Sequence, residues 1–112
     1  MSSISWADFE KIDIRVGTII DVQLFPKAKK PAYQLRIDFG QELGQKRSSA
    51  QITAHYQPEN LLGRQVVAVV NFPPKQIANF VSECLVLGVY DTGNDVILLQ
   101  PERIVTNGQK IG

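Results

Sequence analysis

The chain has 112 residues, 44% of them hydrophobic and 21% charged, which is the composition of a folded domain and excludes a disordered, highly charged chain. Its formal net charge of +1 also excludes nucleic-acid binding by global attraction, so any phosphate-binding surface has to be a local patch. A single cysteine, a Met-Ser-Ser-Ile start without the regions of a signal peptide, and no apolar run near the ~20 residues of a bilayer span lead to the expectation of one domain, residues 1–112, in a reducing cytoplasm and without membrane insertion.

Ser5 followed by Asp8 outlines a helix N-cap with an acid at the third position, and a short helix is expected over residues 6–11, with Trp6, Phe9 and Ile12 on one apolar face. From Ile14 the period becomes two. Ile14, Val16, Thr18, Ile20 and Val22 alternate as in a half-buried strand, and Gly17 inside it suggests a bulge or a tight barrel bend. A basic loop with Lys27, Lys29 and Lys30 leads to a second alternating strand, Tyr33, Leu35, Ile37 and Phe39, which stops at Gly40. Residues 41–45 should turn the chain into an unusually polar third strand over residues 46–53. Pro58 and Gly63 bracket a short helix over residues 56–62, and residues 66–70 read as a buried strand closed by Asn71-Phe72-Pro73-Pro74. Residues 84–90 and 96–99 flank Asp91-Thr92-Gly93-Asn94-Asp95, a hairpin signal, and Asn107-Gly108 turns the tail. Many short strands with two brief helices favour an all-β fold, a five-stranded OB-type barrel with its helix between strands three and four. Pattern alone leaves an SH3-like barrel or a split sandwich open.

Catalytic and metal signatures are missing from the sequence. His55 is the only histidine and Cys84 the only thiol, without zinc-ligand spacing, phosphate-cradling glycines or a carboxylate pair that spacing can unite. The chain is therefore read as a non-enzyme without cofactor, with His55 a polar residue leading into a helix and Cys84 a small buried hydrophobe of raised pKa. Charge is more informative. Lys27, Lys29, Lys30, Arg36, Lys46 and Arg47 face only Asp38 and Glu42 over residues 27–47, half of all the positive charge and a local excess of +4. In an OB barrel these positions fall on the oligonucleotide platform, where the polar run over residues 47–53, Ser49 and Gln51 among it, could read unpaired bases. The same pattern also fits a solvated loop and an outward strand face. Tyr56 is a further candidate for stacking. A separate apolar segment, Phe72, Pro74, Ile77, Phe80 and Val81, is either a peptide groove or a core lid.

Several runs match a known family. Asp13-x-Arg15-Val16-Gly17-x-Ile19, Pro31-Ala32-x-x-Leu35, Asp38-x-Gly40, Leu62-Gly63-Arg64, Asn71-Phe72-x-Pro74-x-x-Ile77 and Ser82 together resemble the tRNA-binding domain appended to some aminoacyl-tRNA synthetases. The fuller runs over residues 30–40, 48–53 and 82–89 resemble the stand-alone CsaA-type export chaperones of that family. The resemblance implies an OB barrel whose terminal segments form a homodimer, with Trp6, Phe9, Ile104 and Val105 at the interface. It also implies a chaperone activity toward unfolded or precursor polypeptides and a tRNA-binding activity; a structure-specific tRNA binder without chaperone role, or a docking module, are the other readings. One departure stands out: Ser82-Glu83-Cys84-Leu85 replaces the Ser-x-Gly-Met of the synthetase-appended domains, and a carboxylate beside the RNA face opposes phosphate.

Overall fold

In the computed structural model, which describes residues 1–112, Ser5 starts helix α1 (Trp6–Glu10) by a reciprocal capping box: its hydroxyl accepts from the Asp8 N–H, and the Asp8 carboxylate accepts from the Ser5 N–H, each at 3.1 Å. The aspartate serves where a glutamate is usual, and no residue of α1 is buried. The chain continues through β1 (Ile14–Leu24), β2 (Tyr33–Asp38), a single helical turn α2 (Gly40–Leu43), β3 (Gln45–Ala50), α3 (Pro58–Leu61), β4 (Gln65–Val69), β5 (Lys75–Ile77), β6 (Phe80–Ser82), β7 (Leu85–Val86), β8 (Gly88–Tyr90) and β9 (Val96–Leu98). Strands β3-β2-β1-β4-β7 form one antiparallel sheet in that order. Its two edge strands, β3 and β7, come back together and nearly close the barrel. This is the OB arrangement, with α3 between the third and fourth barrel strands.

The strand β1 differs from its sequence pattern in an instructive way. A bulge between Ile19 and Asp21 shifts the register against β2, so Ile19 is fully buried while Ile20 is 38% exposed. The side chains that face the core change parity there, from Gly17 and Ile19 to Val22, and the long strand can bend around the barrel. Gly17 is not the bulge itself. A Cβ at that position would stand 2.6 Å from the Ile37 Cγ2 and 2.7 Å from the Phe39 ring, so glycine is needed for close packing of β1 on those side chains.

The core is built by Ile19, Tyr33, Leu35, Ile37 and Phe39 with Ile52, Leu61, Val66 and Ala68, as the alternation requires. The C-terminal tail is strapped along β1: the Val16 N–H donates to the Gln109 carbonyl and the Gly108 N–H to the Val16 carbonyl. Gln65, a buried amide, holds the tail like a backbone partner, donating to the Val105 carbonyl at 2.7 Å and accepting from the Val105 N–H at 3.1 Å. Two features depart from the sequence expectation. The strand expected over residues 84–90 breaks into β7 and β8, and the segment expected as an apolar loop folds into a β5–β6 hairpin, with Ala78 in the left-handed region at φ 52°.

Gly17→Ala is expected to destabilise the fold by ~1–3 kcal/mol through overpacking against Ile37 and Phe39. Urea unfolding of the two proteins measures it, and a difference below ~0.5 kcal/mol contradicts the packing account.

Candidate functional site

The register of the sheet arranges polar side chains on its outer face in two cross-strand rows. Asp21 lies opposite Arg36, Arg36 opposite Arg47, and the Arg47 guanidinium reaches the Glu83 carboxylate at 3.4 Å. Gln23 lies opposite Gln34, Gln34 opposite Ser49, and the Ser49 N–H donates to the Ser82 hydroxyl at 3.1 Å. Of the sequence-expected RNA residues, Arg36, Arg47, Ser49 and Ser82 thus share one surface. Lys29 and Lys30 are exposed in the β1–β2 loop beside it. Lys46 stands apart: it lies opposite the fully buried Ile37, on the inward side of β3, near enough to Cys84 for its charge to act on the thiol.

The positive patch is weaker than its sequence suggests. Two cations in the first row face carboxylates, Asp21 across from Arg36 and Glu83 beside Arg47, so the row is balanced and the uncompensated charge sits in the lysine loop. Glu83 also accepts from the Arg47 N–H at 2.9 Å, and its own N–H donates to the Arg47 carbonyl at 2.7 Å. The acid is a seam residue that neutralises the platform as it closes the barrel.

The lysine loop is held by a small second core. Phe25 and Ala32, at the loop's two ends, pack with Phe80, whose ring lies 5.4 Å from that of Phe25 and 5.5 Å below the Arg47 guanidinium. Phe80 is only 8% exposed, so this member of the expected peptide surface is an anchor beneath Arg47 on the outer face. Pro74 and Val81 also lie outside the groove described next. Tyr56 is likewise engaged, its hydroxyl accepting from the Leu98 N–H and its ring covered by Arg64 at 5.2 Å.

Between the end of β3 and the two hairpins lies an open groove of about 700 Å³. Phe72, Pro73 and Ile77 line it from the β4–β5 segment and β5, Leu85 and Val86 from β7, and Tyr90 and Val96 from the β8–β9 hairpin. Ser49, Gln51 and Ser82 lie along the β3 side, so residues expected on two separate surfaces share this cavity. Phe72 and Tyr90 are 54% and 75% exposed, leaving large apolar area for a visitor. Lys75 and Glu83 are its only charged lining residues, and Glu83 is already paired.

Cys84 lines the groove but is buried, and burial pushes its thiol up to about 12, with the Lys46 charge and the Ser48 hydrogen bond opposing. His55 meets Asp91 across 36 positions of sequence, Nε2 to Oδ2 at 2.6 Å, with Asp95 alongside; no local signal in the sequence linked them. Asp91 is held below the usual carboxylate range, first by the Asp95 N–H and then by His55. At the termini, Trp6 and Ile104 are 83% and 78% exposed, while Phe9 and Val105 are half-buried.

Comparison with known proteins agrees with this architecture. The model of the tRNA binding domain matches residues 14–110. The chain belongs to the tRNA-binding domain family. It is 38% identical over 108 residues to the methionine–tRNA ligase of Nanoarchaeum equitans, covering 96% of this chain but only 13% of the ligase. Two solved structures match it end to end. The chaperone CsaA of Bacillus anthracis superposes with a TM-score of 0.93 at 52% identity, covering 99% of this chain and all of that one. The CsaA chaperone protein of Picrophilus torridus gives 0.92 at 55% identity, covering 98% of this chain and all of that one. The chain is thus of the CsaA type within the family. No helix is long and apolar enough to cross a membrane.

With its pKa near 12 against 9.0 for a free thiol, Cys84 should react with iodoacetamide at pH 8 about 10³-fold more slowly in the folded chain than in urea. Because folding favours the neutral thiol, this group's contribution to stability is complete below pH 9 and declines as pH rises toward 12. Equal alkylation rates in the two states contradict the burial.

Proposed function

We propose that the chain is a non-catalytic chaperone that holds apolar stretches of unfolded or precursor polypeptides in the groove between β3 and the two hairpins. The groove carries this reading. It offers exposed aromatic and aliphatic walls, polar groups of β3 for a visiting backbone, and almost no net charge, which suits extended apolar chain of varied sequence and salt-tolerant binding. The end-to-end likeness to CsaA chaperones supports it. A tRNA site on the outer face of β2 and β3 with the lysine loop is the second activity, supported by the family match and by the exposed Lys29, Lys30 and Arg36. A homodimer in the cytoplasm completes the proposal: no residue of α1 is fully buried within its own subunit, and Trp6 and Ile104 need a cover that a second copy can supply. The alternative, a structure-specific tRNA binder without chaperone role, draws on the likeness to one segment of methionine–tRNA ligases.

Suppression of aggregation of a chemically denatured client tests the first activity. The natural chain should suppress it at stoichiometric dimer, with little change between low and high salt, and Phe72→Ser with Tyr90→Ser should weaken client binding ~10-fold or more while leaving the unfolding midpoint nearly unchanged. Failure of the natural chain to protect any client leaves the tRNA reading standing alone.

For tRNA, affinity should fall with salt, and Lys29→Ala with Lys30→Ala should flatten the log–log slope by ~1.5–2. Glu83→Gln keeps an oxygen for the Arg47 N–H but removes the charge, and should tighten tRNA binding about two- to threefold. Unchanged slope and affinity in these variants would move the RNA site off this face.

A further inference from the structure

Neither the groove nor the outer face accounts for the cluster of His55, Asp91 and Asp95. Each offers one donor atom, and the three atoms lie within 4.8 Å of one another. They come from distant segments: His55 from the stretch joining β3 to α3, the aspartates from the β8–β9 turn. The Asp91 Oδ1 accepts from the Gly93 and Asp95 N–H groups at 2.8 and 2.9 Å, which fixes the carboxylate so that Oδ2 faces the imidazole. Asn94, at φ 65°, folds the chain back and brings Asp95 to the same side. Two carboxylates thus converge on one imidazole, and no lysine or arginine forms an ion pair with either.

We propose that His55, Asp91 and Asp95 form a binding site for a borderline divalent cation of the zinc class. One imidazole nitrogen and two carboxylate oxygens are the mixed donor set such ions take, at roughly 2.0–2.2 Å each, with water completing the shell on the solvent side. Ligands of one tetrahedral ion stand about 3.3 Å apart. The 2.6 Å His55–Asp91 contact therefore has to open by less than ~1 Å and separations of up to 4.8 Å have to close by up to ~1.5 Å, shifts for which the His55 side chain, 41% exposed, has room. The ion would take the place of the His55–Asp91 hydrogen bond and tie the β8–β9 hairpin to the barrel. Tyr90, Asn94 and Val96 of that hairpin segment line the groove, so a filled site stiffens one of its walls. The site stands on its own geometry, whatever the groove binds.

Because His55 is the only histidine, the untagged full chain reports on the site directly. Zinc chloride titrated by calorimetry, and followed in the ¹⁵N resonances of the single imidazole, should bind one equivalent per chain, shift the Nε2 signal and raise the melting temperature by several degrees; magnesium should do none of these. His55→Ala and Asp95→Asn should each weaken zinc ~10-fold or more, with circular dichroism unchanged; Asp91 is left intact because it organises the turn. An imidazole signal indifferent to zinc, or full-strength binding in both variants, overturns the proposal. Neither result bears on client or tRNA binding.

Discussion

Barrel closure at the β3 seam is the constraint on which both surfaces depend. The partner of β3 on this side is not a regular strand but the Ser82-Glu83-Cys84 stretch, and side chains supply most of the bonds. The Ser82 hydroxyl takes the Ser49 N–H, the Glu83 carboxylate takes the Arg47 N–H, and the buried Ser48 hydroxyl donates to the Cys84 carbonyl at 3.0 Å. An open strand edge carries unpaired backbone groups that invite another chain. Here the Ser82 and Glu83 side chains cap that edge, Ser48 of β3 itself reaches across to the Cys84 carbonyl, and no buried side-chain polar atom is left without a partner. Because a side chain reaches further than a backbone ladder, the walls can part beyond Ser49, and the groove opens where β3 ends.

The same seam sets the charge of the outer face. Glu83 must sit beside Arg47 to satisfy its N–H, and a carboxylate there cancels one of the cations that a phosphate would meet. Surface pairs of this kind, 45% and 34% exposed, add about 0–1 kcal/mol to stability. The larger consequence is electrostatic: the uncompensated positive charge shifts from the strands to the lysine loop, which Phe25, Ala32 and Phe80 hold beside them. Phe80 sits beneath Arg47 and against Phe25, so one buried ring supports both the seam and the loop.

Strand positions were legible because alternation over β2 and the valine run of β4 have one low-energy solution each, and the capping residues of α1 name their own helix. The bulge in β1 was not. Thr18-Ile19-Ile20 offers an apolar side chain at either parity, and only the partner register decides which isoleucine goes inward. The β5–β6 hairpin hid because its turn uses Ala78 at positive φ, where sequence reasoning looks for glycine or asparagine. Of the site, the basic and apolar segments could be named from composition, but their fusion into one groove could not. That depends on contacts such as Glu83 to Arg47 and His55 to Asp91, each 36 positions apart and each made by residue types common on any surface.

What divides the two proposed surfaces is the physics by which each would hold a ligand. In the groove the lining is mainly apolar, Glu83 is spent on Arg47 and Lys75 is the one charge left over, so affinity there would come from buried area and backbone hydrogen bonds, with little for salt to screen. On the outer face the free charges stand on a loop and their attraction to phosphate falls with every added ion. Ser49 and Ser82 belong to both, since they lie on the polar row of the face and on the edge of the groove. Their hydrogen bond is also part of the seam. A ligand that pulled Ser82 toward itself would have to leave the Ser49 N–H unpaired, at a cost of ~1–3 kcal/mol, so the seam resists deformation from either side and holds the two proposed binding surfaces in a fixed relation.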